Sequence, residues 1–244
     1  MDQARLAALL VARGDVERHA CVQLSATKFV RAEQWAGLKR DEQEFLRCYA
    51  AGVSAHRAVL VGRSAARALG LWVLGKDPEV IELAQRNGHP PSKTQWPEGV
   101  VYRNIPVPEM DIREHTAFDP AGAGGRIRLT TPARTAIDIA RFHGVRDTVV
   151  AMDSLYREQN RIGQETTRAA LVSTMGRLAG KKGVGQARRA FELSSTVSES
   201  AFESLFRVIL IEHGIRAEAQ MWVGRRYRVD LLWGCLLYTS DAAD

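Results

Sequence analysis

Apolar residues recur at helical spacing at Leu6, Leu9 and Leu10, and again at Phe45, Leu46 and Tyr49. These two patterns predict helices over residues 3–13 and 40–53. Between them "KFVRAEQWAGL" reads as a short strand entering a turn. "SAARALGL" predicts a helix with Ser64 as N-cap and Gly70 as its stop. "EVIELA", "GVVYRNI" and "GRIRLT" are short apolar runs and predict strands of a small mixed sheet. The loops "NGHPPSKTQWP" and "DPAGAGG" between them are expected on the surface.

From residue 131 the pattern becomes helical. "TPARTAIDIARFHG" places Thr131 at the N-cap, Pro132 at the first helical position and Gly144 at the end. "RDTVVAMDSLYREQ", "QETTRAALVSTMGRL" and "GQARRAFELS" follow as amphipathic helices. A last helix over about 199–214 carries Phe202, Leu205, Phe206, Ile209 and Leu210 on one apolar face. "AEAQMWV", a tight turn at "GRR" and "YRVDLLW" complete a helix–strand–strand unit. The fold class expected is α+β: a small mixed N-terminal region over 1–125, a helical middle over 126–196, and the start of a restriction-endonuclease-like α/β domain over 197–233.

Composition excludes several classes. The N-terminal apolar run is cut by Arg13 and Asp15, so it is no secretory signal, and no stretch approaches the roughly 18 apolar residues of a membrane helix. Cys21, Cys48 and Cys235 lie far apart without CxxC spacing, which argues against structural disulfides and a cysteine zinc site and fits a reducing cytoplasm. The histidines never fall at i, i+4 with a Glu, so a zincin-type site is absent. The net charge is +6, and the chain is two charges more positive still without Asp241 and Asp244. That excess suits a polyanion such as nucleic acid, and equally a basic protein with no such partner.

Chemistry is best sought in the helix–strand–strand unit. Glu203 lies in the first turn of the last helix. Asp230 lies inside the second strand, where alternation puts Val229, Leu231 and Trp233 on one face and Arg228, Asp230 and Leu232 on the other. A carboxylate in an apolar strand costs several kcal/mol to desolvate unless it is paired or binds a metal. Two readings stand for each residue. Ser200 to Glu203 is an S-x-x-E capping box, so Glu203 is a cap, a metal ligand, or both. Asp230 is a site residue or the partner of Arg226 or Arg228. The stretch "MGRLAGKKGVGQARRA" carries no acid, and its cations serve either a DNA-contacting turn or a solvated inter-helix loop.

The order of these segments resembles the actinobacterial AbiEi-type antitoxin-like proteins with a C-terminal Vsr-like endonuclease domain of the PD-(D/E)xK kind. The matching stretches are "FVRAEQWAGL", "SAARALGL", "LTTPARTAIDIAR", "SESAFESLFRVILIEHGI" and "YRVDLLW", covering nearly all of residues 20–233. The resemblance implies Glu203 and Asp230 as catalytic, Mg²⁺-binding carboxylates. It implies DNA as partner, with Lys181, Lys182, Arg188 and Arg189 as phosphate contacts, and no membrane or small-molecule cofactor. In "TPARTAIDIAR", Arg134 and Asp138 stand at i, i+4 and are expected to pair on the helix surface. Residues 1–30 depart from the family by lacking a clear winged helix-turn-helix.

The family continues past the Asp strand with a third strand bearing E-x-D or a similar pair. Here the chain runs into "CLLYTSDAAD", which looks like translated sequencing-adapter read-through. Residues 235–244 are therefore expected to be a non-native tail and the nuclease domain truncated, active only when intact. Three functions are carried forward: a Mg²⁺-dependent restriction-like endonuclease, a non-enzymatic antitoxin-like regulator of its own operon with a cognate toxin, and an interaction module on an inactive nuclease fold.

Overall fold

A computed structural model describes residues 2–16, 20–76, 79–116, 126–157, 159–215, 217–223 and 227–233. The expected "DPAGAGG" loop, the "GRR" turn and the tail at 235–244 lie outside these residues. The class is α+β, as the pattern implies. The chain divides into two compact units: residues 1–71 with 75–135, and residues 72–74 with 136–244. Among the described residues no helix is long and apolar enough to cross a membrane.

The first unit is built on a five-stranded mixed sheet. Its strands are β3 (Ala58–Leu60), β4 (Ile81–Gln85), β5 (Val100–Tyr102), β6 (Ile112–Thr116) and β7 (Arg126–Thr130). Their order is β5-β4-β3-β7-β6, with β5 parallel to β4, β3 parallel to β7, and the other neighbours antiparallel. A separate two-stranded ribbon pairs β1 (Cys21–Gln23) with β2 (Phe29–Arg31). The helices are α1 (Gln3–Ala7), α2 (Ala32–Ala36), α3 (Arg40–Ser54) and α4 (Gly62–Ala68).

α3 exists because its apolar positions fall on one side. Phe45, Leu46 and Tyr49 are buried in a core with Leu6, Leu60, Leu83, Ile127 and Leu129. Cys48 shares that buried side, and burial pushes its thiol up to about 12. It is a protonated core residue rather than a nucleophile. The N-terminal helix stops at Ala7, well short of residue 13, and a 3₁₀ turn follows at Arg13–Asp15. The stretch after β2 winds into the short helix α2 instead of a simple turn.

α4 corrects one expectation. It starts at Gly62, so Ser64 sits inside the helix, and the Ser64 hydroxyl accepts the Glu82 N–H at 2.9 Å. The end is capped instead by the Glu82 carboxylate, which accepts the Arg63 N–H at 2.7 Å and is paired with the Arg103 guanidinium. Gly62 is required here. Its φ is +54°, and any Cβ would collide with the Glu82 carboxylate.

α5 (Pro132–His143) begins in the first unit. Arg134 and Asp138 are not a surface pair: their side chains are 1% and 0% exposed. Arg134 donates to Asp111 at 2.6 Å and to the Pro106 carbonyl at 3.0 Å, while Asp138 accepts from Arg141 at 2.9 Å. The helix is amphipathic, but its inward face carries ions: Arg134 is neutralised by Asp111 from outside the helix, and Asp138 pairs with Arg141 of α5 itself.

The second unit holds the rest of α5 together with α6 (Val145–Tyr156), α7 (Arg161–Arg177), α8 (Val184–Leu193) and α9 (Ala201–Glu212), then the hairpin of β8 (Ala217–Val223) and β9 (Tyr227–Trp233). α6 packs on α7, α8 and α9. Ile137, Ala140, Met175, Val184 and Ala187 form a buried cluster between α5, α7 and α8.

Candidate functional site

α9 starts where a buried ionic knot fixes it. Asp153 of α6 accepts the Ser195 N–H at 2.7 Å, the Ser198 hydroxyl at 3.1 Å and the Arg207 guanidinium at 2.7 Å. Arg207 also donates to the Leu193 carbonyl at 2.6 Å, closing the end of α8. One carboxylate thus ties α6, the 194–200 connection and α9 together. Burial pushes the Asp153 carboxyl above its ordinary range, against the pull of Arg207 and the Ser195 N–H.

This knot also decides which way α9 faces. Its buried residues are Ser204, Arg207, Val208 and Leu210. Of the apolar face that the spacing predicts, Leu210 is buried while Phe202 and Phe206 are 81% and 45% exposed. Phe202, Leu205, Phe206 and Ile209 instead line an open cavity of about 520 Å³, which Glu203 and Asp230 also border. Periodicity counts apolar residues and is blind to an Arg that is pulled inward by a buried partner.

The capping reading of Glu203 is borne out in the first turn of α9. The Ser200 hydroxyl accepts the Glu203 N–H at 3.2 Å, so Ser200 is the N-cap. The Glu203 carboxylate reaches back to the Glu199 N–H at 3.1 Å, one residue outside the usual capping box. Glu203 Oε2 also accepts from the Gln220 side chain at 2.8 Å. The same Gln220 Nε2 donates to Asp230 Oδ1 at 3.2 Å. Asp230 is exposed, so it does not carry the desolvation cost its apolar neighbours suggested. Arg226 lies outside the described residues.

Gln220 was not anticipated from the sequence. It stands on β8 opposite Asp230, between the pairs Ala219–Leu231 and Met221–Val229. Its φ is +56°, and among the described residues it is the only non-glycine with positive φ. That conformation costs of order 1–3 kcal/mol and marks a position held by its surroundings. A polar side chain in "AEAQMWV", facing the strand that holds Asp230, was the available signal.

Comparison with known proteins finds no family model and no curated protein that matches this chain.

The donor set is three oxygen-bearing groups: two carboxylates and an amide. Among the described residues no group of three or more His, Cys, Asp or Glu is placed to hold a metal. The Gln220 NH₂ nevertheless sits within hydrogen-bond reach of both carboxylates, as a small positive group would. Mg²⁺ is usually held by one or two carboxylates, with waters and substrate phosphate completing its shell, so Glu203 and Asp230 fit it in number and hardness. A half-turn of the amide would present its oxygen in place of the NH₂.

The expected phosphate contacts are elsewhere in the second unit. Lys181 and Lys182 lie in the α7–α8 connection, and Arg188 and Arg189 on α8. All four are exposed. Arg189 approaches Glu192 at 3.5 Å, and the Lys182 carbonyl accepts from Arg141 at 3.1 Å.

Proposed function

We propose that Glu203 and Asp230, bridged by the Gln220 amide, form the carboxylate part of a Mg²⁺-dependent, restriction-like site that cleaves DNA phosphodiesters in the intact protein, in the cytoplasm. The observation that carries this reading is the single amide shared by a helix carboxylate and a strand carboxylate at the edge of an open cavity. Glu203 and Asp230 would hold the cation, which when bound lowers the pKa of water and neutralises charge at phosphorus. Gln220 orients both carboxylates, and the Ser200 cap with the Asp153 knot holds Glu203 in place. The exposed cations at 181, 182, 188 and 189 supply attraction for the DNA backbone.

The test uses Mn²⁺ as a spectroscopic stand-in for Mg²⁺. Glu203→Gln and Asp230→Asn should each weaken Mn²⁺ binding about tenfold or more by electron paramagnetic resonance titration, since each removes one charged ligand. Mn²⁺ occupancy that is unchanged in both variants would sink the metal reading. Metal binding by the intact protein without nicking of a supercoiled plasmid would sink cleavage alone.

A second reading is favoured by the exposed cations of the α7–α8 region, which need no metal to bind DNA. The chain would then be a non-enzymatic, antitoxin-like regulator that binds an operator, with a cognate toxin as its protein partner. Plasmid that the intact protein binds but never nicks, with or without Mg²⁺, would support it.

A further inference from the structure

The first unit has its own cluster of cations, distant in sequence from the residues discussed above. His56 and Arg57 precede β3, Gln85, Arg86 and Asn87 close β4 and follow it, and Arg128 lies mid-strand on β7. Antiparallel pairing of Ala58 with Gln85 and the parallel β3–β7 pairing bring these three segments to one end of the sheet. Together the six residues line a polar concavity of about 400 Å³.

The charges there are not balanced. The Glu114 carboxylate alone serves Arg128 at 2.7 Å, Arg126 at 3.5 Å and Arg86 at 3.8 Å. Those three guanidiniums together hold the Glu114 carboxyl below its usual range, with Arg128 the strongest influence. Arg86 has a second acid, Glu109, at 3.0 Å, but that pair is exposed on both sides and readily exchanged. Arg57 is exposed and makes no ion pair with any described residue. Of the three guanidiniums that line the concavity, Arg86 and Arg128 share Glu114 with Arg126, and Arg57 has no acid among the described residues. Arg128 is also locked in direction, donating to the His56 carbonyl at 2.6 Å.

We infer that this concavity binds phosphate groups of a nucleic-acid backbone. Guanidinium forks match phosphate oxygens in geometry as well as charge. The amides of Gln85 and Asn87 and the His56 ring add neutral hydrogen-bonding groups beside them, as nucleic-acid surfaces do when they meet sugars and base edges. The net charge of +6 favours a polyanion over an isolated small anion. The site does not rest on the carboxylate reading and survives its failure.

The test is fluorescence anisotropy of the full chain with a labelled DNA duplex of about 20 base pairs, and with inorganic pyrophosphate as competitor. Arg57→Glu is the informative variant, because Arg57 makes no hydrogen bond or ion pair with a described residue; an unchanged melting midpoint checks this. Its duplex affinity should fall about tenfold or more, and the log–log salt slope should flatten by about one. Arg86→Glu should act in the same direction. Unchanged affinity and slope in both variants would overturn the site. Pyrophosphate binding that Arg57→Glu abolishes, without any duplex binding, would overturn the nucleic-acid assignment in favour of a small phosphorylated ligand.

Discussion

Arg134 shows how far a side chain's role can lie from its apparent place. Its spacing from Asp138 suggests a helix-surface pair, yet it is almost fully buried against Asp111, which lies 23 residues earlier in the sequence. Removing one member of such a pair strands the other charge in a poor solvent. Arg134→Met should cost about 3–5 kcal/mol in urea unfolding. The double variant Arg134→Met/Asp111→Leu should recover much of that loss, because both charges then disappear together. A single-variant cost below about 1 kcal/mol would mean that Asp111 is solvated after all.

The elements that the sequence pattern made legible are the long ones. α3 and α5 to α9 each repeat their apolar residues over several turns, and most carry a terminal signal such as Ser200 or Gly144. β3 was missed because all three of its residues are buried, which erases the alternation a strand shows when one face is wet. β6, "IREHT", has too few apolar positions to register. The candidate site was legible in its two carboxylates and not in Gln220, whose role depends on register across the hairpin. The burial of Arg207 on the inward side of α9 was not legible, because the Asp153–Arg207 knot is a tertiary fact. That knot has a testable pH signature. A carboxyl whose folded pKa is raised contributes most to stability below the ordinary aspartate value of 3.8, and this contribution is lost as pH rises through the folded value. The unfolding free energy of the native chain minus that of Asp153→Asn should therefore fall as pH is raised from about 3 to about 7. A difference that rises with pH would show that attraction to Arg207 outweighs burial.

Over the whole molecule, positive charge is spread across both units rather than gathered in one. The second unit exposes Lys181, Lys182, Arg188 and Arg189, and the first exposes Arg57 and Arg86. Binding to duplex DNA should consequently be steeply salt-dependent, each phosphate contact contributing a slope of about −0.9 in log K against log salt. Lys181→Ala/Lys182→Ala should flatten that slope by about two without altering thermal stability, since neither ammonium is engaged in an ion pair among the described residues. Affinity that stays level between low and moderate salt would count against DNA as the partner.

The Gln220 amide carries one more implication. It already occupies the point between Glu203 and Asp230 that an incoming ion or donor would take. The pair of acids therefore comes with a tethered partner, whose NH₂ group bridges them. A visiting cation must therefore break two hydrogen bonds before the amide can turn its oxygen to it, and what it gains is only the excess over them. A site built in this way answers to abundant, strongly charged ligands and ignores weak ones, so selectivity begins before the ligand's own geometry is read.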